Sequence, residues 1–221
     1  KDKVIEAKDE ALEWALGPFG GPIWREMKGD AVEACHGPGV SERDADGGNA
    51  PGNGPAFALL GAIRDAVTQA GVPVRWHLVG HSAGSIFHCR LFEWFVRNGV
   101  KLGSVSFIAP AVSCALFRRS VMANDALVGR FGLHAMPDRD ERDDDCMKVY
   151  SKSLLYLVSE SFEKDDDRQI LGLDRNVRMD HRQSARKVDP LVAEWLKTAQ
   201  VELDFHRPVR TDPTLHGSFD D

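Results

Sequence analysis

The sequence predicts an α/β fold, a mostly parallel twisted sheet flanked by helices, built as one domain over residues 1–221. Three observations carry that reading. Apolar runs at 72–79, 103–109 and 130–136 have the length of buried strands, and segments of helical periodicity separate them. The first run enters Gly80-His81-Ser82-Ala83-Gly84, a G-x-S-x-G pentapeptide, and a helix-like segment leaves it. Near the end, Val201, Leu203 and Phe205 alternate with Glu202, Asp204 and His206, the period of two expected of a half-buried edge strand.

Taken in order, residues 3–16 read as a helix with Val4, Ala7, Ala11, Leu12 and Ala15 on one side, ended by Gly17-Pro18. A second helix is expected over 22–35, where Trp24, like Trp14 and Phe19 before it, suits aromatic packing. Residues 36–55 are rich in Gly, Pro, Asn and Asp and mark a long loop, so 1–54 hold a helical segment and a loop with no convincing strand. Helical spacing returns with Ala56, Leu59, Leu60, Ile63, Ala66, Val67 and Ala70; Pro55 suits the first turn, and Gly71 with Pro73 ends it.

The strand leading to Ser82 follows, then a helix over 85–98 that turns Ile86, Phe87, Leu91, Phe95 and Val96 inward. The runs at 103–109 and 130–136 are closed by Pro110 and Pro137. This alternation argues for a parallel sheet covered on both faces. Between 146 and 162, Val149, Leu154, Leu155, Leu157, Val158 and Phe162 suit a buried helix, with 154–158 open to a strand reading. Asp189-Pro190 opens another helix through Leu191, Val192, Trp195, Leu196 and Ala199. Residues of about 141–200 then form a helical insertion able to act as a cap.

Composition narrows the classes of function. A chain of this length buries a core without disulfides or metal. With 28 basic and 34 acidic side chains the net charge is −6, which argues against a nucleic-acid partner. The acid clusters at 138–145 and 163–167 read mainly as solvated charge. Cys35, Cys89, Cys114 and Cys146 are scattered, as expected of thiols in a reducing compartment; with a charged start unlike a signal peptide, they point to the cytoplasm. No run has the length of a membrane span, and no spacing of His, Cys and acids suggests a zinc site.

The pentapeptide is where chemistry is expected. A strand reversing sharply into a helix holds its turn residue in strained backbone and lifts the Ser82 hydroxyl clear of the sheet, while the flanking glycines relieve the close approach. Ala83 would aim its N–H at an oxyanion from the start of the helix. A serine hydroxyl also needs a histidine to take its proton and a carboxylate to orient that histidine. Of the eight histidines, His81 lies within the turn and suits a pocket wall that meets substrate; His88 suits packing or a backbone hydrogen bond; His77, His134 and His206 fall in strands and His36 in the early loop. His216 sits in the loop Thr211-Asp212-Pro213-Thr214-Leu215-His216-Gly217 after the last strand, the end of a parallel sheet where catalytic groups gather. Asp138, after the strand ending at Met136-Pro137, occupies the equivalent loop. Asp140 is its nearest rival, and Glu160 or Asp165, Asp166 and Asp167 would replace it were 154–158 a strand. Asp46-Gly47 precedes the serine, against a patatin-like serine-aspartate pair.

In the order Ser82, Asp138, His216 these residues resemble the α/β-hydrolase superfamily, and within it the esterase and lipase-like members, where Gly-His-Ser-Ala-Gly is a common elbow. The likeness runs from residue 55 to the C-terminus. It implies a Ser-His-Asp triad hydrolysing carboxylic esters through an acyl-enzyme, on a small ester or acyl substrate, with no cofactor or metal. An acyltransferase or thioesterase, or a binding or scaffold domain that keeps the elbow without catalysis, remains open. The departure is upstream of residue 55, where such proteins place several strands and a glycine-rich loop with the second oxyanion donor. Here those strands are reduced or absent, and in His36-Gly37-Pro38-Gly39, which superficially matches that loop, Pro38 has no N–H to donate.

Overall fold

Four parallel strands, β1 (Trp76–His81), β2 (Leu102–Ile108), β3 (Phe131–Ala135) and β4 (Val201–Phe205), pair in chain order. They belong to a computed structural model that describes residues 2–48, 50–144, 146, 150–163, 168–178, 188–198 and 200–205. The α/β class and parallel sheet expected from the sequence are therefore present. β1 begins at Trp76, four residues later than the apolar run, which includes Pro73, a residue unable to donate to a ladder. Among the described residues no strand precedes Trp76, so β1 lies at a sheet edge.

Register makes the core. Leu78, Val105, Phe131 and Val201 stand in one row, and Gly80, Phe107, Leu133 and Leu203 in the next. Val105, Phe107, Phe131 and Leu133 have no exposed surface. Helices α4 (Gly84–Asn98), α5 (Cys114–Arg119) and α9 (Pro190–Trp195) all bring rings to this face: Trp94 meets Trp76 at 6.0 Å between centroids, Phe117 meets Phe107 at 6.4 Å, and Trp195 meets Phe131 at 5.3 Å.

The expected cover on both faces is not met among the described residues. On the other face His77, Val79 and Glu202 are exposed, while Ser104, Ser106, His134 and Asp204 are half-buried. Strand order explains the asymmetry. Each crossover steps to the next strand in one direction, and crossovers of one hand that all step the same way fall on a single face.

Upstream, the two helices expected over 3–16 and 22–35 are one helix, α1 (Asp2–His36), which runs through Pro18 and Pro22. Tertiary contact overrides the breakers. Gly20 lies against the Phe162 ring, where a Cβ would come within 2.2 Å of Cε1, and the Glu163 carboxylate accepts from Trp24 Nε1 at 2.6 Å and Lys28 Nζ at 2.8 Å. Trp14 and Phe19 are 84 % and 75 % exposed, so of the three aromatics only Trp24 is buried. The long loop contains the short helix α2 (Glu42–Asp46), started by a reciprocal capping box between Ser41 and Asp44. Helix α3 (Pro55–Ala70) matches its expected bounds and closes at Gly71, φ +65°.

Downstream lie α6 (Asp138–Arg142), α7 (Leu154–Leu157), a π turn (Val158–Phe162) and α8 (Asp174–Val177). The ambiguous 154–158 segment is helical, begun by Ser153, whose hydroxyl accepts from the Tyr156 N–H at 3.4 Å. Tyr150, Leu155, Tyr156, Leu157, Ile170, Leu171 and Val192 join the same core as the strands. Among the described residues no helix is long and apolar enough to cross a membrane.

Candidate active site

The turn from β1 into α4 holds Ser82 at φ +47°, left-handed backbone that costs a non-glycine residue on the order of 1–3 kcal/mol. Hydrogen bonds impose it. The Ser82 N–H donates to the Ile108 carbonyl at 3.0 Å, and the Ser82 carbonyl accepts from Ser85 N–H at 3.1 Å, Ser85 Oγ at 2.6 Å and Ala111 N–H at 3.0 Å. Ser85, fully buried, also accepts from the Val112 N–H at 3.1 Å, so one side chain ties the elbow to the loop beyond β2. That loop has its own strained residue, Ala109 at φ +41°, and Gly172 lies against it: a Cβ there would come within 2.4 Å of the Pro110 carbonyl oxygen.

The two glycines of the pentapeptide do different work. A Cβ on Gly80 would lie 2.8 Å from His88 Cδ2 and 3.1 Å from Ser85 N, so strand and helix approach only because Gly80 has no side chain. A Cβ on Gly84 meets nothing within 4 Å, which corrects the expectation that both glycines relieve a collision.

Ala83, at the N-terminal boundary of α4, has an N–H with no acceptor among the described residues, and partial positive charge gathers at such an end. His36-Gly37-Pro38-Gly39 supplies no comparable donors. His36 ends α1 and is fully buried rather than in the loop, with Nδ1 3.2 Å from the Pro51 carbonyl oxygen. The Gly37 N–H donates to the Glu33 carbonyl at 2.8 Å and the Gly39 N–H to Glu33 Oε1 at 2.9 Å.

Because all four strands run in parallel, Ser82 after β1 and Asp138 after β3 stand at the same rim, and β4 ends there too. Asp138 begins α6 with its carboxylate held on both sides. Oδ1 accepts from the Tyr156 hydroxyl, Oδ2 lies 3.1 Å from Arg142 Nε, and its backbone N–H donates to Asp174 Oδ2 at 3.1 Å. Burial pushes the Tyr156 phenol above its ordinary range, so it stays a donor, and the Arg175 guanidinium stacks 4.0 Å over its ring. Tyr156 and Asp174 carry no sequence signal for this role, since only the fold brings their segments to Asp138, whereas Arg142 is its i,i+4 neighbour within α6.

Of the alternative acids, Asp140 is buried within α6, Glu160 pairs with Arg175 at 2.7 Å, and Asp165, Asp166 and Asp167 lie outside the described residues, as do His206 and His216. The strand that would have promoted Glu160 is absent. Glu141 is a carboxyl the sequence did not single out. It is fully buried, and desolvation pushes its pKa up to about 8, with Asp144 and Asp138 adding to the rise and Ser153 and Arg175 opposing it.

The remaining histidines have local partners. His88 Nε2–H donates to the Val79 carbonyl at 2.8 Å, as its place one turn past the elbow suggested, and burial lowers its pKa. His77 Nδ1 lies 2.8 Å from Ser104 Oγ, and His134 Nδ1 lies 3.2 Å from Asp204 Oδ2 across β3 and β4. His81 ends β1, half-buried, immediately before the serine. Among the described residues no group of three or more His, Cys, Asp or Glu could hold a metal ion, and Cys35, Cys89 and Cys114 are buried free thiols.

Comparisons with protein-family models, curated proteins and solved structures found no match. The site brings together a serine on a strained strand-to-helix turn, an N–H beside it with no acceptor among the described residues, and a braced carboxylate along the same rim.

Proposed function

We propose that this protein is a serine hydrolase that cleaves carboxylic esters through an acyl-enzyme intermediate. Ser82 is the nucleophile, His216 the general base and then the general acid, Asp138 the carboxylate that orients His216, Ala83 N–H one oxyanion donor, and His81 a wall of the substrate pocket. The observation that carries the reading is the Ser82 backbone at φ +47°, a conformation whose cost is warranted where a side chain must be presented at a sharp turn.

In this mechanism Ser82 Oγ attacks the ester carbonyl as His216 takes its proton, and the new oxyanion is stabilised by the Ala83 N–H at the helix start. Collapse expels the alcohol, which receives the proton from His216. Water, activated by the same histidine, then releases the acid and regenerates the serine. Thioesters pass through equivalent intermediates, and an acceptor other than water would make the protein an acyltransferase. The reading requires no metal or organic cofactor.

A second reading, a binding or scaffold domain with an idle elbow, is favoured by the position of β1 at the sheet edge, with no second oxyanion donor assigned beside it. Labelling with a fluorophosphonate probe separates the two. The native protein should label, and Ser82→Ala and His216→Ala should not; a folded native protein that fails to label removes the hydrolase reading. Asp138→Asn should slow ester turnover by about 10³–10⁴-fold with the fold intact, and an unchanged rate would move the orienting role to another carboxyl.

A further inference from the structure

Helix α2 stands over a cavity of about 270 Å³ whose lining includes Asp46, Arg90, Leu116, Arg119, Ser120 and Asn124. The Asp46 carboxylate lies between two guanidinium groups: Oδ1 accepts from Arg90 Nη1, and Oδ2 accepts from Arg119 Nη2 at 2.7 Å. One carboxylate held by two arginines has the geometry with which proteins bind anionic ligands.

The Arg90 side chain is only 5 % exposed, and its buried Nε has no hydrogen-bond partner among the described residues. The other acids nearby are shared. Glu93 accepts from Arg97 and lies 3.3 Å from His36 Nε2, while Glu42 lies 3.6 Å from Arg90 and 3.8 Å from Lys28. Withdrawing Asp46 would leave a buried cation short of charge and hydrogen bonds, a state that demands an anion in its place. The segment that delivers Asp46 is a five-residue helix over the small cluster of Val32, Ala45, Ala50 and the partly buried Val40, joined to the body by the Glu42 contacts to Arg90 and Lys28.

We infer that Arg90 and Arg119 form an oxyanion-binding site for a carboxylate or phosphate group, with Asp46 as its internal occupant, displaced when such a ligand enters the cavity. Ser120 and Asn124 line the cavity beside the clamp. The Ser120 hydroxyl donates to the Leu116 carbonyl at 2.7 Å and Asn124 Nδ2 to the Ser120 carbonyl at 2.7 Å, which fixes both side chains at the cavity wall. The site is independent of Ser82 chemistry.

The test titrates inorganic phosphate and, separately, malonate into the full chain and its Asp46→Asn variant at equal ionic strength, with binding read by calorimetry. Asp46→Asn should bind one of the two at least about tenfold more tightly than the native protein, and Arg119→Gln in that background should abolish the gain. Which anion binds identifies the ligand chemistry. A folded Asp46→Asn protein that binds neither, or binding indifferent to Arg119→Gln, overturns the inference. Hydrogen exchange of the α2 amides in the native protein tests it without any variant: they should exchange faster as the anion is added, and exchange unchanged at the highest concentration of both anions also overturns it.

Discussion

Gly80 and His88 occupy one space: a single carbon added to Gly80 would lie 2.8 Å from the imidazole Cδ2, while that imidazole donates from Nε2 to the Val79 carbonyl one residue away. The glycine lets helix and strand close up, and the histidine then satisfies a carbonyl of the edge strand β1. The elbow geometry at Ser82 depends on that closure.

Gly80→Ala should therefore destabilise the protein by about 1–3 kcal/mol, through overpacking and displacement of His88. Gly84→Ala, with open space around its Cβ and better helix propensity, should cost nothing and gain up to about 1 kcal/mol. Denaturant midpoints of the two variants check the contrast. Equal losses would mean the collision at Gly80 is relieved by local movement.

Tyr156→Phe removes the hydroxyl that donates to Asp138 Oδ1 and leaves Arg142 in place. The expected loss of stability is about 1–2 kcal/mol. If Asp138 orients the proposed histidine, ester turnover should also fall, by less than for Asp138→Asn, because the carboxylate survives with one brace gone. A turnover loss equal to that of Asp138→Asn would make Tyr156 itself part of the chemistry.

Glu141 makes the fold less stable as pH rises through the acid and neutral range. Below about 4.5 the carboxyl is protonated in both folded and unfolded chains and nothing is lost; from there to about 8 the unfolded chain ionises while the buried group resists, so stability declines across that window. Burial of His88 acts in the opposite sense within the same range, since stability is lost as pH falls below about 6.5. Melting temperatures from about pH 4.5 to 8 should show Glu141→Gln removing the loss of stability that accompanies rising pH. An unchanged profile over that window would refute the burial of an ionisable group at that position.

Much of the sheet was legible because its core-facing residues are large and apolar: Val105, Phe107, Phe131 and Leu133 mark their runs although Ser104, Ser106 and His134 alternate with them. The expected breaks at Pro18 and Pro22 failed for the opposite reason. Local propensity forbids a helix there, and packing of Phe162 on Gly20 with the Glu163 contacts to Trp24 and Lys28 supplies what propensity lacks. The single covered face was also hidden, since a chain's periodicity records that strands alternate with helices but not the order in which the strands pair.

By itself the sequence determined the α/β class, the parallel strands and the turn at Ser82, because each follows from residues close together in the chain. Only the tertiary structure decided that Ser85 pins Ser82, that Gly80 rather than Gly84 is sterically required, and that Tyr156 braces Asp138. The physical reason is range: short-range periodicity and turn chemistry are written in neighbouring residues, whereas burial, strain and hydrogen-bond partnership depend on which distant segments the core brings together.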